Sequence, residues 1–273
     1  MIIYISIFAE NSQEGMTILF DEIVFGPVRS RRFGVSLGIN LLPLSYKYCT
    51  FNCIYCECGW SFRENAKKVK LPTRDAIWQA LDERLQQMKR EGKAPDHLTF
   101  AGNGEPTVHP AFDGIIDDTI GLRNQHFPNA QVTVLSNASL LHKKSVFDAL
   151  NKVDNNVLKL DSVIESTFRR INQPSPSLTL ETIIDNIKRF SGNQVVQTLF
   201  MRGKYNDEYI DNTSPAEVGA WIKVLEQIRP KYVMIYPIER DTAAPGIEKV
   251  PLEDLRAIAD QVEQAGIKTK IYY

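Results

Sequence analysis

Three cysteines, Cys49, Cys53 and Cys56, stand in the run CTFNCIYC, which has a C-x3-C-x2-C spacing. Three thiolates this close together can hold three irons of a four-iron cluster and leave the fourth iron without a protein ligand. Clusters that only carry electrons generally use four thiolates. The incomplete set therefore indicates chemistry at an open iron, where a substrate can bind.

A zinc site is the alternative for clustered cysteines. Zinc prefers four tetrahedral ligands and usually takes them from two separated pairs. All four cysteines of this chain lie between positions 49 and 58, so no second pair exists. His97 and His109 are the nearest histidines in sequence, and neither stands at finger-like spacing. The spacing favours an iron–sulfur cluster over zinc.

The fourth cysteine, Cys58, allows two interpretations. As a fourth cluster ligand it would require the chain to fold back sharply around the cluster, because it follows Cys56 by only two residues. The other interpretation is a buried or loop thiol without a catalytic role, since free cysteines usually behave as small hydrophobic residues. We favour the second.

Composition sets the broad class of the protein. The 273 residues have ordinary hydrophobic and charged fractions, and we expect them to form a single domain. A net charge of -1 gives no support for a large nucleic-acid interface. Local basic patches remain at Arg29, Arg31, Arg32, Lys67, Lys68 and Lys70. The apolar start, Met1–Ala9, is too short to span a membrane, and cysteines confined to one segment indicate a reducing, cytoplasmic compartment.

Helix and strand patterns alternate after the cysteines. Helices are predicted from Thr73 to Gly92, 111–123, 141–151, 180–190, 214–228 and 252–264, and strands at 97–101, 131–135, 157–160, 194–200, 232–236 and 267–272. Thr73 is the expected N-cap of the first helix, and Ser214 with Glu217 matches a capping box. This alternation predicts an α/β fold with a parallel sheet and outer helices, a partial TIM barrel of about six βα units. Ligands in such folds gather at the carboxyl ends of the strands.

A glycine-rich turn, Gly102-Asn103-Gly104-Glu105-Pro106-Thr107, directly follows the strand predicted at 97–101. Glycines at a strand end allow the backbone to approach a ligand closely, and a carboxylate beside them can pair with an ammonium group. The turn lacks the Gly-x-Gly-x-x-Gly pattern of dinucleotide sites. Alone it would be an ordinary βα loop.

Together, the cysteine run and the turn resemble the motifs of the radical S-adenosylmethionine (radical SAM) enzymes. The resemblance implies that the three cysteines bind one [4Fe-4S] cluster. It implies that Gly102, Gly104, Glu105 and Pro106 hold the amino group of the methionine part of SAM. Reductive cleavage of SAM would then give methionine and a 5′-deoxyadenosyl radical that abstracts hydrogen from a substrate.

The resemblance also implies further cofactor-binding positions. Tyr55 stands where the family places an aromatic residue whose backbone contacts the adenine. Contacts to the ribose or the methionine carboxylate are expected at strand ends, from Ser136, Asn137, Lys159, Asp161 and Arg202. Lys159 and Asp161 share one strand face by the period of two. For Lys159, Asp161 and Arg202, the alternative interpretation is a solvent-exposed charge at a strand end with no contact to the cofactor.

The segment before the cysteines, 25–40, looks like the lead segment of a subgroup related to the wyosine-type, tRNA-modifying radical SAM proteins. Its arginines either bind phosphate bidentately or form salt bridges that tie residues 1–40 to a barrel of residues 41–273. Unlike the wyosine enzymes, this chain has no further cysteines for a second cluster.

The resulting hypothesis is a radical SAM enzyme that receives electrons from a reductant such as flavodoxin or ferredoxin and acts on tRNA or protein. Its catalytic residue beyond the cluster is not predicted. Polar loops at 204–212 and 239–245 are candidates for substrate contact. The alternatives are an iron–sulfur electron-transfer protein with Cys58 as fourth ligand and an RNA-binding module with a structural metal.

Overall fold

The computed structural model describes residues 18–61 and 70–273. The interpretations of Met1–Ala9, Lys67 and Lys68 lie outside the described residues. The strands of the described part are Val24–Ser30 (β1), Gly34–Ile39 (β2), His97–Phe100 (β3), Gln131–Ser136 (β4), Asn155–Lys159 (β5), Gln194–Tyr205 (β6), Glu208–Asp211 (β7), Tyr232–Pro237 (β8), Ile247–Lys249 (β9) and Thr269–Ile271 (β10). Its α-helices are Arg74–Arg90 (α1), Phe112–His126 (α2), Lys144–Lys152 (α3), Glu165–Asn172 (α4), Leu180–Lys188 (α5), Pro215–Ile228 (α6) and Leu252–Gln264 (α7).

The sheet runs in the order β1-β2-β3-β4-β5-β6-β8-β10. β1 is antiparallel to β2, and every later pair in this order is parallel. Helices connect the successive parallel strands, with α4 and α5 sharing one crossover. The sheet does not close between β1 and β10. The predicted α/β partial barrel of about six βα units is therefore confirmed.

The helix signals in the sequence act largely as expected. The hydroxyl of Thr73 accepts a hydrogen bond from the backbone N–H of Ala76 at the start of α1. Ser214 caps α6 in the same way, by accepting from the N–H of Glu217. The carboxylate of Glu217 does not complete the capping box, because it accepts from Ser162 instead, at 2.7 Å. This bond joins α6 to the loop that follows β5.

The structure differs from the sequence prediction in two places. Helix α4 was not predicted, because its eight residues show only a short apolar repeat, with Phe168 and Ile171 buried. The loop expected at 204–212 is a hairpin between β6 and β7. Its turn residues Asn206 and Asp207 both have positive φ angles, of 51° and 62°, as a tight two-residue hairpin turn requires.

The two faces of the sheet have different partners. Leu158 of β5 belongs to the main core that includes the helices. Its neighbour Val157 faces the other way and packs with Phe33, Val195 and Met234 in a separate cluster. We call this second side the inner face. Phe33 comes from the turn between β1 and β2, so the lead segment packs against the inner face.

Arginines of the same turn contact the rest of the barrel. Arg31 forms an ion pair with Glu239 at 3.0 Å. Arg32 donates to the side chain of Gln197 at 3.1 Å and lies over the ring of Tyr236. The expectation that arginines tie the lead segment to the barrel is confirmed for Arg31. In the described part of the chain, no helix has both the length and the apolar character needed to cross a membrane.

Candidate active site

The cysteine segment follows β2 and is fixed by backbone hydrogen bonds on both sides. Tyr48 donates from its N–H to the carbonyl of Asn103, and its own carbonyl accepts from the N–H of Glu105. On the other side, the N–H groups of Asn52 and Ile54 donate to carbonyls at the end of α4, each at 3.0 Å. The positions of Cys49 and Cys53 are thus set by two neighbouring elements of the barrel.

The sulfurs of Cys49 and Cys53 accept hydrogen bonds from nitrogen donors. The Sγ of Cys49 accepts from the backbone N–H of Phe51 at 3.4 Å and from the amide of Asn137 at 3.5 Å. The Sγ of Cys53 accepts from the amide of Asn172 at 3.4 Å. Hydrogen bonds of this kind stabilise the negative charge of ligating thiolates and are one way that proteins tune iron–sulfur clusters.

A buried lysine, Lys47, lies among the same thiols. It is 2% exposed, and its ammonium donates to the carbonyl of Gly59 at 3.0 Å. Burial disfavours its charged form, but attraction to Cys56, Cys49 and Cys53 outweighs burial and holds the pKa of Lys47 above its usual value. The sequence prediction missed this residue.

The thiols themselves differ in acidity. Burial raises the pKa of Cys49 to about 12, and burial also raises the pKa of Cys53. A hydrogen bond from the Cys58 thiol lowers the pKa of Cys56 well below its usual value, whereas that same bond raises the pKa of Cys58. Cys58 also approaches the carbonyl of Gly102 at 3.5 Å.

The donor set fits an iron–sulfur cluster, because one buried and two partly buried thiols share a site with a cation and several N–H donors. Within residues 18–61 and 70–273, no three His, Cys, Asp or Glu side chains are grouped as a site for a metal ion. A four-iron cluster does not require such a group, since each thiolate binds a different iron.

The carboxylate of Glu105 is 2% exposed and lies next to the cysteine loop. One oxygen accepts from the hydroxyl and backbone N–H of Thr107 and from the hydroxyl of Ser136 at 2.8 Å. The other accepts from the backbone N–H of Asn137 at 2.6 Å. Burial raises the pKa of Glu105, while these donors favour its ionised form. Pro106, also buried, begins a short 3-10 turn, Pro106–Val108.

The glycines of this turn are required by the approach of the cysteine loop. A Cβ atom at Gly104 would lie 2.0 Å from the carbonyl oxygen of Tyr48, and one at Gly102 would lie 2.6 Å from the side-chain oxygen of Asn40. Both residues also have φ near +140°, a conformation that suits only glycine. The sequence predicted close backbone approach here, and the structure shows that the protein's own backbone makes one such approach.

Tyr55, Lys159 and Asp161 form a buried cluster on the other side of the cysteine loop. The hydroxyl of Tyr55 donates to Asp161 and accepts from the ammonium of Lys159 at 2.7 Å. Asp161 also accepts from Asn172 at 2.7 Å and from the backbone of Leu199 at 3.0 Å. The Nζ atom of Lys159 lies 3.6 Å from the Oδ2 atom of Asp161, as their shared strand face predicts.

The charges in this cluster support one another. Burial disfavours the charged form of Lys159, but attraction to Asp161, Tyr236, Cys53 and Cys56 together outweighs it and holds the pKa of Lys159 above its usual range. Burial, followed by the charge of Asp161, raises the pKa of Tyr55 well above its usual value. Tyr55 therefore stays protonated and donates to Asp161.

Arg202 does not join these residues. It lies in the part of β6 that pairs with β7 and β9, and it forms an ion pair with Asp254 of α7. The structure thus brings the three cysteines, the glycine turn, Ser136, Asn137, Tyr55, Lys159 and Asp161 together and gives Arg202 a different partner.

Two residues of the site escaped the sequence prediction for different reasons. Lys47 stands two positions before Cys49, so its proximity to the cysteines was visible, but its burial was not. Asn172 reaches Cys53 and Asp161 only because α4 ends beside the cysteine loop. No sequence signal indicated α4, so none pointed to Asn172.

Comparison with known proteins gives the family. Residues 44–214 match the family model of the radical SAM superfamily. A UPF0026 protein from Methanocaldococcus jannaschii is 31% identical over 70% of this chain and 58% of its own length. A UPF0026 protein from Helicobacter pylori is 35% identical over 66% of this chain and 57% of its own length. The chain therefore spans little more than half the length of these relatives.

A solved structure of similar fold is a radical SAM methyltransferase from Sphaerobacter thermophilus, with a TM-score of 0.64 and 13% identity. The match covers 87% of this chain and 66% of that one. This likeness supports the fold alone, whereas the family model covers the cysteine loop, the glycine turn and the strand ends that surround them. On that evidence the chain belongs to the radical SAM superfamily.

Proposed function

We propose that this protein binds a single [4Fe-4S] cluster through Cys49, Cys53 and Cys56 and cleaves S-adenosylmethionine reductively. When bound, the cluster would supply the electron that splits SAM into methionine and a 5′-deoxyadenosyl radical, which takes hydrogen from a substrate. One observation carries the proposal. Tyr48 pairs directly with Gly104, so the cysteine loop lies beside the turn that we expect to hold the methionine.

The residues of the turn suit the amino group of SAM. Glu105 places a carboxylate beside the cysteine loop, and Ser136 and Asn137 donate to it and fix its orientation. An ammonium group near this carboxylate would gain a charge-assisted interaction. We assign Gly102, Gly104 and Pro106 the role of shaping the turn so that its backbone faces the cofactor.

The second cluster of residues suits the remainder of SAM. We assign the backbone of Tyr55 to the adenine, and Lys159 and Asp161 to the polar groups of the ribose or methionine carboxylate. Lys159 keeps 16% of its side chain exposed, whereas the Asp161 side chain is fully buried, so Lys159 is the better placed of the two for direct contact. Arg202 stays a candidate for the methionine carboxylate, although its contact with Asp254 counts against this role.

Anaerobic reconstitution with iron and sulfide, followed by an assay for 5′-deoxyadenosine, tests the proposal. The reconstituted protein should release 5′-deoxyadenosine from SAM when dithionite is present. Cys53→Ala removes one of the three predicted ligands and should abolish this release. No cleavage by the wild-type protein, or cleavage that survives Cys53→Ala, would show the proposal to be wrong.

An iron–sulfur electron-transfer protein is the second candidate function. The observation in its favour is the contact of Cys58 with Cys56, which places a fourth thiol near the other three. If Cys58 completed the ligand set, Cys58→Ala would destroy the cluster. Under our proposal the Cys58→Ala variant keeps the cluster and still cleaves SAM.

The partners and setting of the enzyme follow from the same chemistry. We propose a flavodoxin or ferredoxin as reductant and a base in RNA or a protein side chain as substrate. Deuterated RNA and protein fractions are incubated separately with the enzyme and SAM. The fraction that transfers deuterium to 5′-deoxyadenosine contains the substrate.

The confinement of the cysteines to one segment supports a reducing, cytoplasmic location. Pairing of β2 with β3 supports a single domain that includes the lead segment.

A further inference from the structure

A lysine is seldom buried without a carboxylate partner, because removing its charge from water is costly. Lys47 is such a residue: it is 2% exposed, and no carboxylate forms an ion pair with it in the described part of the chain. The carbonyl of Gly59 accepts one of its hydrogen bonds, at 3.0 Å. A single neutral acceptor does not account for a buried positive charge.

The groups that face Lys47 are the predicted cluster ligands. Its ammonium is held on the turn that begins at Cys56, because it donates to the carbonyl of Gly59, whose own N–H donates to the carbonyl of Cys56 at 3.0 Å. From this position it interacts electrostatically with Cys56, Cys49 and Cys53. Three thiolates on a four-iron cluster form a site of net negative charge, and reduction adds one more. A fixed positive charge within a buried site stabilises the more negative state, because the low dielectric of the protein interior screens it weakly.

We propose that Lys47 is a positioning residue whose charge raises the reduction potential of the cluster and so makes its one-electron reduction easier. This inference rests on the proposed function, since it requires a cluster at Cys49, Cys53 and Cys56. The bond to Gly59 holds the ammonium in place beside the sulfurs. Lys47 itself contacts neither SAM nor substrate in this account.

The test compares neutral and charged replacements of Lys47. Lys47→Gln and Lys47→Met remove the charge, Gln keeping a donor for Gly59, while Lys47→Arg keeps the charge. Lys152→Gln is the matched control, because Lys152 is a half-exposed lysine of α3 that pairs with Asp117. Each variant is reconstituted anaerobically, its iron content is measured, and its cluster is titrated by EPR against solution potential without SAM.

We expect the neutral variants to lower the equilibrium constant for reduction about tenfold or more, which for one electron is a shift of about 59 mV to lower potential. The Arg variant and the Lys152→Gln control should titrate close to the wild type. If the neutral variants fold but lose the cluster while Lys47→Arg keeps it, the charge is needed to bind the cluster and not to set its potential, which overturns the proposal as stated.

Three further outcomes would overturn the proposal. The first is a midpoint potential in the neutral variants equal to that of the wild type. The second is an equal change in Lys47→Arg and in the neutral variants, which would indicate a packing role. The third is loss of folding in both neutral variants. If the wild type itself holds no reducible cluster, the proposed function fails as well, whereas an unchanged potential in a protein that cleaves SAM contradicts only the role of Lys47.

Discussion

Individual side chains around the cysteines are bound mainly to one another. Glu105 illustrates this, since its two oxygens accept from Thr107, Ser136 and Asn137. Asp161 is similar, with Tyr55, Asn172 and Leu199 as donors. Buried polar groups that are satisfied in this way hold a fixed geometry. The cysteine loop lies between two such networks, one on each side.

Asp161→Asn tests how far the second network depends on charge. The change leaves the buried ammonium of Lys159 without its carboxylate and turns an amide toward the donors of Tyr55 and Asn172. We expect the free energy of unfolding in urea to fall by about 3 kcal/mol, as when one partner of a buried ion pair is removed.

Asp148→Asn is the matched control for this prediction. Asp148 pairs with Lys144 on the surface of α3, where both side chains are exposed. Its replacement should change stability by about 0.5 kcal/mol or less. Equal losses in the two variants would show that Asp161 contributes no more than a surface charge.

At this scale, the sequence predicted residues with a local signature and missed those placed by tertiary contacts. The spacing of the cysteines and the Gly104-Glu105-Pro106 run were visible directly, and the period of a strand predicted that Lys159 and Asp161 lie together. Lys47 looked like any loop lysine, because its burial depends on chain segments far from it in sequence.

The elements position these residues through backbone contacts between loops. The loop after β2 pairs with the turn after β3, and its other side bonds to the end of α4. The first contact lies at the carboxyl ends of two neighbouring parallel strands, β2 and β3, and the second reaches the crossover that follows β5. A barrel of βα units therefore brings residues near position 50 together with residues near positions 104 and 172.

Gly104→Ala tests the contact between the two loops. The added Cβ would lie 2.0 Å from the backbone oxygen of Tyr48, which cannot rotate away as a side chain would. Because this clash adds to the strain of a φ of +140°, we expect the variant to lose at least about 2 kcal/mol in the free energy of unfolding. Cluster content after reconstitution should fall as well.

Gly121→Ala is the matched control, because Gly121 lies within α2 and no atom beyond its chain neighbours and the backbone of its own helix lies within 4 Å of the added Cβ. Alanine is a better helix former than glycine, so this variant should gain about 0.5–1 kcal/mol and load iron normally. Normal stability and normal iron content in Gly104→Ala would show that the loops do not depend on each other.

Element prediction succeeded where apolar periodicity was long and failed where it was short. The first helix was predicted with its cap because four buried residues, Ile77, Leu81, Leu85 and Met88, mark one face. The β6–β7 hairpin was read as a loop because its second strand, Glu208–Asp211, buries only one residue. The Asn206-Asp207 pair would have indicated a tight turn there, because both residue types tolerate positive φ.

Across the whole molecule, the inner face of the sheet changes character from one end to the other. Phe33 packs with Val157, Val195 and Met234, and two positions further along the strands stand Lys159, Gln197 and Tyr236. The polar residues follow toward the carboxyl ends, where the cysteine loop lies. The lead segment therefore covers the apolar part of the inner face through Phe33 and contacts the polar part through Arg32, which reaches Gln197 and Tyr236.

The central claim is that three cysteines hold the cluster and leave one iron open to SAM. EPR spectroscopy of the reduced cluster, recorded with and without SAM, tests it most directly. We predict that SAM changes the spectrum of the wild-type protein and of Cys58→Ala alike. A spectrum that SAM leaves unchanged, or loss of the cluster in Cys58→Ala, would contradict the claim and identify Cys58 as the fourth ligand of a saturated cluster.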